Sequence, residues 1–171
     1  MSYTTYKKIA SVTVTASTAA AIEFTSIPAT YTDLLLLSST RSSTGTVNFR
    51  VSFNGSTTGY TSKLLYGDGS SALSANNSVT TAIDYSNYAN ASTETASTFS
   101  NNQVYIPNYV GSTNKSVSIE TIRENNATAA LVAMTAGLWS NTAAITSIKI
   151  EGDSASYVLH STAVLYGIKR Y

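Results

Sequence analysis

The chain has 171 residues, ten Lys+Arg against nine Asp+Glu, a net charge of +1, one histidine and no cysteine. Its length fits one domain, and the missing cysteines exclude a thiol enzyme, a disulfide scaffold and a cysteine-ligated zinc finger. Without a basic excess, broad electrostatic binding to nucleic acid is not expected. No apolar run approaches the ~20 residues of a membrane-spanning helix, the longest stretch of large aliphatics being Leu34 to Leu37.

Charged residues make up 11% of the chain, where ordinary soluble domains carry about 25%. Polarity comes instead from Ser, Thr and Asn, which form no charge-rich tract. Twelve Tyr, four Phe and a 43% hydrophobic content argue against disorder. Thr, Val, Ile, Tyr and Phe favour a pleated, half-buried surface, so a folded all-β protein is expected.

The first residues, Met1 to Lys8, lack the apolar core of a signal peptide, so synthesis in the cytoplasm is the expectation. Residues 1 to about 6 read as a short arm before the first strand. Tyr3, Tyr6, Lys7 and Lys8 give it aromatic and basic groups suited to docking on a partner. Strands are expected at Lys8 to Val14, Ala20 to Phe24 and Asp33 to Arg41. Leu34 to Leu37 shows no alternation; bounded by Pro28, Asp33 and Ser38, it reads as a central strand covered on both faces rather than a buried helical turn.

Val47, Phe49, Val51 and Phe53 alternate with Asn48, Arg50 and Ser52, a strand with one buried face that ends at the turn dipeptide Asn54-Gly55. Tyr60 to Tyr66 is the next strand. Gly67-Asp68-Gly69-Ser70 follows, a lone acid in a tight loop rather than a metal ligand, since hard cations want roughly six to eight oxygens. Val79, Thr81, Ile83 and Tyr85 alternate again, and Ser86 to Ser97 reads as a long exposed loop. Ser97 to Ile106, Ser116 to Arg123 and Ala129 to Trp139 are further strands. The last contains helix-favouring Ala and Leu, but its strand-like neighbours decide for a strand. Ile148 and Ile150 alternate before Gly152-Asp153, and Val164, Tyr166 and Ile168 mark the closing strand.

About ten strands with turn signals between them and no long helix predict an antiparallel β-sandwich, jelly-roll-like, with residues 1–171 forming a single domain. No catalytic, cofactor or metal residue is expected. His160 is the only imidazole, and no Gly-x-Ser-x-Gly elbow supplies a nucleophile for it. Glu120 and Glu124 share strand parity while Arg123 faces the other way, the pattern of solvated strand charges rather than a glycosidase pair. Trp139 and the tyrosines Tyr85, Tyr88, Tyr105 and Tyr109 could stack on sugar rings, but aromatics more often fill a core or a subunit contact. Trp139 and Tyr88 are therefore carried as candidate partner-binding residues with the arm.

Low net charge promotes association, and several strands lack the Lys or Pro that blunts a sheet edge, so the chain is expected to sit beside copies of itself or another coat protein. The segments Ile27-Pro28-Ala29-Thr30-Tyr31-Thr32-Asp33-Leu34-Leu35-Leu36-Leu37, Val51-Ser52-Phe53-Asn54-Gly55, Tyr60-Thr61-Ser62, Leu65-Tyr66-Gly67-Asp68-Gly69-Ser70 and Ala163-Val164-Leu165-Tyr166-Gly167-Ile168 resemble small jelly-roll structural proteins of tailed bacteriophages. Capsid decoration (cement) proteins and tail-associated proteins are the nearest group. The resemblance implies a non-enzymatic homo-oligomer, a trimer by preference. It would be made in the host cytoplasm and located in the virion, where it binds the major capsid protein or another virion protein and strengthens the shell. The alternative is a tail-associated module that binds a receptor or carbohydrate, with a glycan as its ligand.

Overall fold

In the computed structural model, residues 5–45, 48–84, 89–126 and 130–169 are described. Tyr3, Tyr85 and Tyr88 lie outside them. The described residues form fifteen strands and no helix: β1 (Tyr6–Thr13), β2 (Thr18–Ala19), β3 (Ala21–Phe24), β4 (Asp33–Ser42), β5 (Phe49–Phe53), β6 (Tyr60–Gly67), β7 (Ala72–Asn77), β8 (Ile83–Asp84), β9 (Asn90–Ala91), β10 (Ser100–Ile106), β11 (Lys115–Arg123), β12 (Leu131–Trp139), β13 (Ile148–Gly152), β14 (Tyr157–Val158) and β15 (Thr162–Ile168). The long sheet runs β1-β15-β4-β10-β11-β12-β6-β7, with the short strands β2, β9 and β14 joined at the end of β4. A second sheet runs β3-β13-β5-β8. The fold is an antiparallel β-sandwich, as the alternation predicts; among the described residues β9 alone pairs in parallel. One sheet is the wider, with eight strands in its main order against four in the other.

The core fills the space between the sheets. Leu34, Leu36, Val104, Ile106, Val117, Ile119 and Leu165 from the long sheet meet Ile22, Phe24, Phe49, Val51, Phe53, Ile148 and Ile150 from the short one. The two sets obey the period of two that sends alternate side chains to one face. Leu34 to Leu37 is strand, between β15 and β10, but only Leu34 and Leu36 are fully buried; Leu35 and Leu37 point to the other face and are half-buried. Phe53, Tyr60 and Trp139 form an aromatic cluster, Tyr60 stacking on Trp139 at 6.0 Å and Phe53 tilted against it at 5.6 Å. The Tyr60 hydroxyl accepts from the Phe53 N–H at 2.9 Å, and burial raises its pKa above the usual phenol value.

Three local expectations are corrected. The alternation from Val79 to Tyr85 yields only the two-residue β8, in which Asp84 is buried rather than solvent-facing. Asp84 sits 3.7 Å from the Arg50 guanidinium, so its charge is partnered. The polar stretch before Ser97 is not wholly an exposed loop, because Asn90 and Ala91 are buried as β9 against β4. Beyond it, the buried Arg41 gathers the carbonyls of Glu94, Thr95 and Thr98 at 3.1, 2.8 and 2.7 Å. Strand β1 begins at Tyr6, so Tyr6, Lys7 and Lys8 belong to a paired edge strand rather than to a free arm.

Candidate interaction face

Strand order and register make one wide surface. The inner face of the long sheet rests on the core, and the four-stranded sheet covers only that side. Outward-facing residues therefore line up in rows across all eight strands. One row reads Ser11, Val164, Leu37, Gln103, Glu120, Met134, Leu65 and Ser74. Its neighbour reads Lys8, Tyr166, Leu35, Tyr105, Ser118, Ala136, Lys63 and Asn76. Seven strand spacings by a seven- to nine-residue strand give a face of roughly 850 Å². That matches the ~800 Å² each partner contributes to a standard protein interface.

The part of this face formed by β11, β12 and β6, toward the β7 edge, is apolar. Val132 is 60% exposed, and Met134 and Leu65 are each 56% exposed. Met134 is paired with Leu65 across β12 and β6, and Val132 with Ile122 across β12 and β11. The four side chains thus form one contiguous cluster, and a contiguous exposed apolar patch marks an interaction site where scattered single residues do not. Beside it lies a shallow trough of about 530 Å³. Ser116, Ser118 and Ala136 are too small to fill it; Tyr105, Met134 and Leu65 stand around it, and Lys63 closes one end.

Few charges interrupt the face, and Lys63 and Tyr105 on it are held in place. The Lys63 ammonium donates to Asn76 Oδ1 at 2.8 Å. The Tyr105 hydroxyl donates to Asp33 Oδ2 at 2.9 Å, and the Asn108 N–H donates to Asp33 Oδ1 at 2.9 Å. These bonds fix the ring of Tyr105 at the rim of the trough. The surface is suited to flat contact with another folded surface through dispersion and neutral hydrogen bonds, at less desolvation cost than a charged face.

The candidate residues divide accordingly. Tyr6 and Lys8 face outward at the β1 edge, opposite Ile168 and Tyr166, while Lys7 pairs with Gly167 and points to the other side. Trp139 is corrected: it is only 1% exposed and packed between Phe53 and Tyr60, so its ring is unavailable to a sugar or a partner. Odd parity on β12 turns it inward with Leu131 and Ala133, and Met134 and Val132 take the outer positions. Tyr109 is buried too, its hydroxyl donating to the Pro28 carbonyl, and burial raises its pKa. Only Tyr105 of the described stacking candidates reaches the face.

Groups weighed for chemistry are dispersed. His160 is exposed in a left-handed turn with φ of 72°, its N–H donating to the Val14 carbonyl at 3.0 Å. Glu120 faces outward between Gln103 and Met134. Arg123 is not a solvated strand charge: it is buried and ion-paired with Glu94. Asp68 closes the β6–β7 turn by accepting from the N–H groups of Ser70 and Ser71 at 2.9 and 2.7 Å, which lowers its pKa. Lys115 is buried beside the aromatic cluster, donates to the Gly111 carbonyl at 2.6 Å, and has its pKa lowered by desolvation. No group of three or more His, Asp or Glu side chains converges among the described residues. The chain matches no protein-family model, no curated protein and no solved structure.

Proposed function

We propose that this chain is a structural protein of a tailed-phage particle, a non-enzymatic decoration protein that assembles with copies of itself and braces the outer shell. The observation that carries the reading is the uncovered eight-stranded face, whose Val132–Ile122 and Met134–Leu65 pairs are exposed on β11, β12 and β6, toward its β7 side. An apolar cluster in this position is a solubility liability for a solitary molecule and an asset for one that spends its life against a neighbour. Burial of apolar surface stabilises by about 25 cal/mol per Å². Repetition of a modest footprint around a shell therefore resists opening, because many contacts must break together. The resemblance of the strand-and-turn segments to phage structural proteins supplies the setting, and the trimer comes from that resemblance alone.

The test joins location with contact. Labelled electron microscopy on purified particles should find the chain on the head, and Val132→Glu with Met134→Glu should leave the isolated fold intact while lowering occupancy on the shell. Label confined to the tail, or full occupancy by the double variant, overturns this reading.

A second reading has its own observation. Tyr105 is held at the rim of a trough that also offers the hydroxyls of Ser116 and Ser118 and the ammonium of Lys63, groups a receptor glycan could use. Under that reading the protein is tail-associated, and glycan-array binding disappears in Tyr105→Ala. Trp139→Ala would not inform this choice, because Trp139 belongs to the core.

A further inference from the structure

The sandwich has four sheet edges, and three are blunted. At β1 the edge carries Lys7 and Lys8, and its register to β15 is broken by a bulge between Lys8 and Ala10. Strand β3 has four residues with the exposed Glu23 among them, and β8 has only two. Charge, bulging and shortness are the usual protections against edge-to-edge pairing.

Strand β7 has none of them. Its six residues, Ala-Leu-Ser-Ala-Asn-Asn, contain no charge and no proline, and all but the last are exposed. It holds an unbroken register to β6 from Ala72 to Asn77, and among the described residues that is its only pairing. Among the described residues the sandwich is also one layer thick here. Leu73 lies opposite Tyr66 on the side away from the bare face and is exposed, and only the small cluster of Leu64, Leu131, Ala133 and Tyr66 packs nearby.

We infer that β7 is the seam between two copies of this chain, pairing antiparallel with its own counterpart about a twofold axis to make one continuous sheet. This rests on the self-association proposed above, names where it occurs, and makes its unit a twofold pair in place of the trimer that the resemblance implies. A second copy is the occupant because a twofold antiparallel pairing of an uncharged strand brings no like charges together in any register, and the nearest ammonium, Lys63, is tied to Asn76. The same pairing sets the two exposed Leu73 side chains over the thin ends of both sandwiches, where each gains cover. It also extends the bare outer face across both molecules.

The absence of cysteine makes the test direct. Single substitutions Ser74→Cys, Ala75→Cys and Asn76→Cys, mildly oxidised, should yield a disulfide dimer for at least one position, and Ser11→Cys on β1 should not. Ala75→Lys places two ammonium groups near the axis and should raise the dimer dissociation constant about tenfold or more in sedimentation equilibrium, with an unchanged circular dichroism spectrum. Self-association that is indifferent to Ala75→Lys, with no β7 cross-link, overturns the seam and leaves the assembly reading standing. A chain that stays monomeric at all concentrations overturns both. Monomers whose binding to particles is lost in Ala75→Lys would show another protein's strand at this edge, which also overturns the seam.

Discussion

Trp139 shows how much one side chain contributes from inside. Its ring lies between Phe53 and Tyr60, and its indole nitrogen finds no acceptor among the described residues. Trp139→Ala should cost about 3–5 kcal/mol in urea unfolding, the range for emptying a large aromatic site. Trp139→Phe keeps a ring against Tyr60 and removes a buried N–H that has no partner among the described residues, so it should cost less than half as much. Equal losses would show that the nitrogen matters more than the packing. Asp68 gives a pH prediction of known sign. Hydrogen bonds from Ser70 and Ser71 hold its carboxylate below the usual 3.8, so the turn's contribution is present above that pH and is lost as pH falls below it. The amide shifts of Ser70 and Ser71 should therefore titrate with a midpoint below 3.8; a midpoint at or above it contradicts the assignment.

At the scale of the element, what the sequence reveals depends on how a strand is buried. Strand β11 alternates buried and exposed from Lys115 to Arg123 without a break, but that alternation is legible in its residue types only from Ser116 to Glu120, since Lys115 and Arg123 are buried and Ile122 is exposed. Strand β12 is different. Leu131 and Trp139 face the core while Val132, Met134 and Leu138 face outward, so both faces are apolar and the sequence cannot say which meets water. This is why the aromatic residues read as contacts and the aliphatic cluster does not. The signal that could find the cluster is the double-sided apolar pattern itself, which a strand covered on one side only has no need of. Strand β7 is illegible in the sequence because Ser, Ala and Asn carry little strand preference; it exists through its register to β6 and the Asp68 turn. Gly67-Asp68-Gly69-Ser70 after a strong strand is the one hairpin cue.

The segment that follows β9 is likewise built from backbone groups that no pattern advertises. Arg41 collects three of its carbonyls while itself buried, and Arg123 anchors Glu94. Arg41→Met should cost about 2–4 kcal/mol, since charge-assisted bonds are lost and the carbonyls keep no donor. Hydrogen exchange should rise between residues 92 and 99 and stay unchanged in the core strands. Exchange that rises evenly across the molecule would contradict a local anchor.

For the whole molecule, the sequence foretells a folded antiparallel sandwich because hydroxyl-rich alternation has few other solutions, and it foretells low charge as a bias toward association. It does not foretell that one sheet is twice as wide as the other, since strand order is set by contacts far apart in the chain. The extra width produces the bare face, and the proposed role depends on that face. The measurement that tests this most directly is hydroxyl-radical footprinting of the chain free and bound in its particle. Met134 is exposed and readily oxidised, so its labelling should fall about tenfold on assembly, with Leu65 and Val132 following it, while the exposed Asp68 turn on the same hairpin provides the internal reference. Labelling of Met134 that is the same in both states would contradict the account.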